Sequence, residues 1–135
     1  MLVREAMGAS VDTCSADETI AKVAKRMTDE DHGAIPVTQH GRLIGIITER
    51  DVMRTVGLGY DAEQTMVTEM MTPDPDVLEP DVSIEDAAEW MLAAGYRHLP
   101  VLEDDQILGI LSVKDVLWAL TGGAEGARIR HGDQA

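Results

Sequence analysis

At 135 residues the chain is one domain's worth of polypeptide, long enough to bury roughly 68% of the surface its unfolded form exposes. Its 25 acidic residues against 11 basic ones give a net charge of −14, which repels a phosphate backbone and argues against nucleic acid as a partner. No run approaches ~18 apolar residues, so no membrane-spanning helix is expected, and the single cysteine, Cys14, excludes an intramolecular disulfide and any multi-cysteine metal site.

The opening MLVREAMGASVD lacks a basic-then-apolar signal pattern, so a cytoplasmic protein is expected. Only three of the basic residues are lysine and there is no phenylalanine. That profile fits a protein of salt-rich cytoplasm, where net charge maintains solubility, and an ordinary acidic bacterial or archaeal protein equally well.

A first strand is expected near Val11–Cys14. Ile20, Val23, Ala24 and Met27 then recur at i, i+3, i+4 and i+7, which predicts an amphipathic helix over 18–31. AIPV (34–37) reads as a short strand whose proline confines it to a sheet edge or a strand start. A turn at QHGR (39–42), a strand LIGII (43–47) and a short helix from Glu49 to about Val56 follow. Residues 57–67 form a linker.

The same order then returns. A strand is expected near Val77–Leu78. Ile84, Ala87, Ala88 and Met91 mark a helix over 82–94, capped by Ser83 and stopped at Gly95. HLPV (98–101), a turn at EDDQ (103–106), ILGIL (107–111) and a helix from Val113 to about Leu120 complete it. The tail from Gly122 has no apolar periodicity and reads as mobile.

The recurrence is an internal repeat. Shifted by 64 residues, HGAIPVTQHGRLIGIITERDV (32–52) falls on YRHLPVLEDDQILGILSVKDV (96–116) without a gap. Upstream, Asp17, Ile20, Ala24 and Met27 land on Asp81, Ile84, Ala88 and Met91, and Glu5 and Met7 on Glu69 and Met71. Two copies of about 53 residues are too few for a solenoid. They predict two β-α-β-β-α half-units packed about a pseudo-twofold axis, an α/β (α+β) fold. The halves are 3–56 and 68–121, with 57–67 between them and the tail at 122–135.

Each half ends a glycine-containing apolar strand with Thr/Ser-x-x-Asp, GIITERD (45–51) and GILSVKD (109–115). An aspartate can accept both hydroxyls of a ribose as charge-assisted bonds. A hydroxyl residue three places earlier, with the free amides of a helix start, suits a phosphate. The same pattern is also a capping box, though that box prefers Glu or Gln at the fourth place. Gly45 and Gly109 cost packing inside a strand, so a close neighbour or a bulge is expected at each.

These residues, twice in fixed register over about 3–121, resemble the CBS domain, and the tandem resembles a CBS pair, or Bateman module. The resemblance implies a regulatory module that binds adenine nucleotides (AMP, ADP or ATP) between its repeats and signals to a partner protein. The alternative is an adaptor with empty clefts, or with another adenosyl ligand such as S-adenosylmethionine. By resemblance, Thr48 and Asp51 form one ribose–phosphate grip, and Ser112 and Asp115 the other.

The resemblance also places adenine walls at Thr13, Cys14, Gly33, Ala34, Ile35 and Pro36, and in the second half at Val77, Leu78, Arg97, His98, Leu99 and Pro100. Ile35 and Leu99 also suit ordinary core. Arg50 and Lys114, beside the aspartates, are candidate phosphate contacts, or simply solvated helix charges. Arg97 and His98 stand where the first half has Gly33 and Ala34, so the second half's wall is the more cationic, more so if His98 is protonated at mildly acid pH. Arg97 equally suits a pairing with a surface carboxylate.

His32, His40, His98 and His131 show no ligand spacing, so no metal site is expected. No Ser/His/Asp or Cys/His set can be assembled, so no enzyme is expected and no cofactor is required. Trp90, Leu117 and Trp118 are large apolar residues left for a surface. With the twofold disc of four repeats that the resemblance implies, they predict a homodimer; the other place for Trp118 is under the tail.

Overall fold

Residues 1–8 and 12–122 are described by a computed structural model of the chain. In chain order they form α1 (Val3–Ala6), β1 (Cys14–Ser15), α2 (Ile20–Glu30), β2 (Ala34–Gln39), β3 (Arg42–Thr48), α3 (Glu49–Gly57), α4 (Val67–Met70), β4 (Thr72–Pro73), α5 (Ile84–Ala94), β5 (His98–Glu103), β6 (Gln106–Ser112) and α6 (Val113–Leu120). Val11 and the tail beyond Gly122, with the readings attached to them, lie outside the described residues.

Both amphipathic helices form where the apolar spacing predicts. α2 starts after Thr19, whose side chain accepts from the Lys22 N–H, and buries Ile20, Val23 and Met27. α5 starts after Ser83, which accepts from the Asp86 N–H, and ends at Gly95 in the left-handed conformation that costs glycine nothing. Each half then makes an antiparallel hairpin, β2 with β3 and β5 with β6. Both hairpins carry a register shift at the same place, Val37/Thr38 and Val101/Leu102. β1 runs parallel to β2 and reaches only Val37 and Thr38. Pro36, which has no N–H to donate, therefore lies where β2 lacks a second neighbour.

The strand expected at Val77–Leu78 is a single parallel bridge, Leu78 to Val101. The Leu78 N–H donates to Pro100 O (2.8 Å), and Leu78 O accepts from the Leu102 N–H (3.0 Å). Pro75 and Pro80, neither of which can donate, bracket the stretch and leave no room for a longer ladder.

Each half borrows its lead-in from the other. Val3 and Ala6 of α1 belong to the core built from Leu78, Ile84, Ala87, Met91, Leu99, Val101, Leu111 and Val116. Val67 and Met70 of α4 belong to the core of Ile20, Val23, Ile35, Val37 and Ile47. The backbone pairs follow suit: the Val3 N–H donates to Val82 O (2.8 Å), and the Val67 N–H to Glu18 O (2.9 Å). β4 joins the first half's sheet at Gly45 and Ile46.

This crossing explains the two strand glycines. A Cβ on Gly45 would sit 2.9 Å from Thr72 O and 2.3 Å from Met71 Sδ, and a Cβ on Gly109 would sit 2.8 Å from Gly8 O. Backbone from the opposite end of the repeat passes directly over each. Gly45→Ala is expected to cost about 1–2 kcal/mol by overpacking, read as a lower urea midpoint at unchanged slope. An unchanged midpoint would mean that β4 can lift away freely.

Candidate ligand site

The start of α3 holds Thr48 and Asp51 in a reciprocal cap. Asp51 Oδ2 accepts from the Thr48 N–H and from Thr48 Oγ1, both at 2.9 Å, while Thr48 Oγ1 takes the Asp51 N–H at a long 3.4 Å. The start of α6 repeats the device: Asp115 Oδ2 accepts from the Ser112 N–H (2.8 Å), and Ser112 Oγ from the Asp115 N–H (3.1 Å). The capping box is thus real at both sites, and aspartate is long enough for it. Each carboxylate spends Oδ2 on its own helix. Oδ1 of Asp51 meets only Arg54, at 3.4 Å. A carboxylate oxygen has two lone-pair sites, so both aspartates keep accepting capacity.

Two clefts lie beside these caps, of about 480 and 520 Å3. The first is lined by Thr48, Arg50, Asp51 and Arg54 from one half and by Tyr96 to Pro100 from the other, together with Asp74 and Asp76. The second is lined by Ser112, Lys114 and Asp115 with Gly33, Ala34 and Pro36, and by Asp12 and His32. Each cleft therefore crosses the halves. The sequence reading grouped walls with halves; the strand entries instead face the opposite half's helix start. Arg97 and His98 line both clefts, so the expected contrast between a neutral and a cationic site does not hold in that form.

Thr13, Cys14, Ile35, Val77 and Leu78 are not among the residues lining either cleft. Cys14, Ile35 and Leu78 are core residues. Burial pushes the Cys14 thiol up to about 12, which leaves it inert at neutral pH. Sequence reasoning missed Glu49, Arg54, Asp74, Asp76 and Tyr96. Only Arg54, three places after Asp51 on the same helix, carried a readable signal. Asp12, Glu30 and His32 bring their donor atoms within 4.8 Å of one another, but the Arg26 guanidinium already holds Asp12.

His98 is half-buried between the clefts. Burial lowers its pKa and Arg97 adds to this, against the carboxylates of Glu49 and Asp115, which work to raise it. The condition under which this wall becomes more cationic, a protonated His98, is thereby shifted to lower pH. In the unfolded chain the imidazole takes a proton below about pH 6.5, while the folded one stays neutral to lower pH. Stability should therefore fall as pH drops through that window. His98→Gln is expected to flatten the fall between pH 7.5 and 5.5 in thermal melts; a parallel fall would place its cause elsewhere.

Comparison with known proteins bears on this arrangement. The model of the CBS domain matches residues 3–57 and 67–122. CBS domain-containing protein YhcV of Bacillus subtilis is 36% identical over 115 residues, 84% of this chain and 81% of that protein. A putative signal-transduction protein with CBS domains from Burkholderia ambifaria superposes with a TM-score of 0.87 at 25% identity, covering 97% of this chain and all of that one. The CBS domain pair of protein MJ0100, in complex with 5′-methylthioadenosine and S-adenosyl-L-methionine, superposes at 0.82 with 22% identity, covering 90% of this chain and 97% of that one.

Proposed function

From the premise that the chain belongs to the CBS-domain family as a tandem pair, and so is a regulatory module, we propose that its two clefts bind adenine nucleotides (AMP, ADP or ATP) and report them to a partner protein. One observation carries the reading. Each cleft sets a carboxylate that keeps accepting capacity, Asp51 or Asp115, at a helix start facing the other half. A ribose seated there touches both halves at once. A ligand that prefers one relative placement of the halves shifts their equilibrium, which is all that signalling requires. The carboxylate would take the ribose, the helix amides and Arg50 or Lys114 a phosphate, and the apolar strand entries the adenine. No catalytic step is part of the proposal.

A second reading has its own observation. Glu49, Asp51, Asp74 and Asp76 outnumber Arg50, Arg54 and Arg97 around the first cleft, which suits a ligand carrying positive charge beside its ribose. S-adenosylmethionine is such a ligand, and it is bound by the MJ0100 pair. Thermal melts with AMP, ADP, ATP and S-adenosylmethionine separate the two readings. A ligand at a hundred times its dissociation constant adds about 2.7 kcal/mol. No shift with any of the four would defeat both.

We also propose a homodimer. Leu117, Trp118 and Leu120 of α6 and Met53 and Val56 of α3 are each more than half exposed, a larger apolar face than a monomer usually leaves in water. Light scattering is expected to give twice 14.6 kDa at both physiological and high salt, and Trp118→Ala to weaken assembly. A monomer throughout would end this part.

A further inference from the structure

The duplication leaves one feature unpaired. Arg97 and His98 align with Gly33 and Ala34, and the fold brings the two stretches together: a Cβ on Gly33 would lie 3.0 Å from His98 Nε2. Both stretches are pinned to the helix starts they precede. Gly33 O accepts from the Glu49 N–H (3.0 Å), and Arg97 O from the Val113 N–H (2.9 Å). A symmetric pair would present two guanidinium groups at this central wall, one for each cleft. Here there is one, and Arg97 lines both clefts. Among the described residues it has no carboxylate within salt-bridge reach. The other cations stay local: Arg50 and Arg54 line only the first cleft, and Lys114 only the second.

We infer that Arg97 is a specificity-determining residue shared by both clefts, so that a polyphosphate bound in either one claims its guanidinium and leaves the other fit for an adenosyl ligand of lower charge. The inference rests on the clefts being adenosyl sites. A guanidinium engages phosphate through paired, directional bonds and cannot present that fork to both sides at once. With 25 acidic residues in the chain, a cleft deprived of it binds a triphosphate against the prevailing field. The module then reads a combination, one charged ligand with one neutral or cationic ligand, rather than the same ligand twice.

Calorimetry with ATP and with adenosine, on the full chain and on Arg97→Ala, tests this. ATP is expected to bind in two unequal steps. In Arg97→Ala the tighter step should weaken by about tenfold or more, while the weaker step changes less than about threefold, because Arg97 is already engaged when the second ATP arrives. Adenosine, with no phosphate, should weaken far less than ATP in Arg97→Ala, and an unchanged urea midpoint shows that the variant is folded. Equal weakening of both ATP steps, or of neither, overturns the sharing while leaving adenosyl binding intact. Failure of adenosine and ATP alike to bind the full chain overturns the adenine-nucleotide reading and the inference with it.

Discussion

Asp51→Ala is expected to lower affinity for an adenosyl ligand at the first cleft by about 1.5–3 kcal/mol, the usual loss for a hydrogen bond to a charged group, and at the same time to destabilise the fold by about 1 kcal/mol. The second effect follows from the geometry. The carboxylate is buried and closes the cap of α3 by accepting from the Thr48 N–H and hydroxyl. Alanine leaves that N–H without its partner. The sequence pattern already allows a capping box beside the ligand grip, and the geometry shows that cap formed. Asp51→Asn separates the two roles. An amide retains one oxygen, enough for the Thr48 N–H, but loses the charge that strengthens a bond from a ribose hydroxyl. The asparagine variant should recover most of the urea midpoint and little of the affinity. Calorimetry and denaturation on the two variants decide it. If both retain full affinity while the midpoint falls, Asp51 is a cap and nothing more.

The repeat made much of this fold legible. A 64-residue shift that matches helix faces, prolines, glycines and caps together leaves few alternatives to two equivalent halves. The positions of α2, α5, α3 and α6 followed from apolar spacing and from the residues that start and stop helices. What could not be read was which half each segment completes. Equivalence under a shift says that Glu5 and Met7 correspond to Glu69 and Met71. It does not say that α1 belongs to the second core and α4 to the first. Helices of four residues carry too little periodicity to announce themselves, and an exchange of lead-ins leaves the aligned residues unchanged. The site was misgrouped for the same reason. Thr48, Asp51, Ser112 and Asp115 were identifiable from the chemistry of the motif. That Asp51 shares its cleft with Tyr96, Leu99 and Pro100 while Asp115 shares its own with Gly33, Ala34 and Pro36 is a consequence of the crossing, visible only once the halves are placed together. The strand glycines were the one trace of it in the sequence, since each marks a spot where borrowed backbone passes overhead.

Arg26→Ala is expected to cost about 2–3 kcal/mol, less than the 3–5 typical of a fully buried pair because the side chain keeps some exposure. Arg26 ties the start of the first half together. Its Nη2 donates to Asp12 and to Thr13 O, and its Nη1 to Glu18 Oε1 at 3.1 Å. Without it, Asp12 and Glu18 face each other from a half-buried position, and Asp12 Oδ2, already buried without a hydrogen bond, gains no relief. Arg26→Lys should recover less than half of the loss, since one ammonium cannot span three acceptors on two sides. The penalty should depend on pH in a definite direction. Burial works to raise the Asp12 pKa, and the Arg26 guanidinium outweighs it, so the carboxyl is held below its ordinary value. A group depressed on folding contributes stability that is present above its unfolded pKa, near 3.8, and is lost as pH falls through the folded one. Wild type and Arg26→Ala should therefore differ fully at pH 7 and converge toward pH 3 in urea titrations. Asp12 also lines the second cleft, so the same variant should weaken ligand binding there while sparing the cleft of Asp51. A midpoint unchanged at pH 7, or a difference that persists undiminished at pH 3, would remove Arg26 from this role.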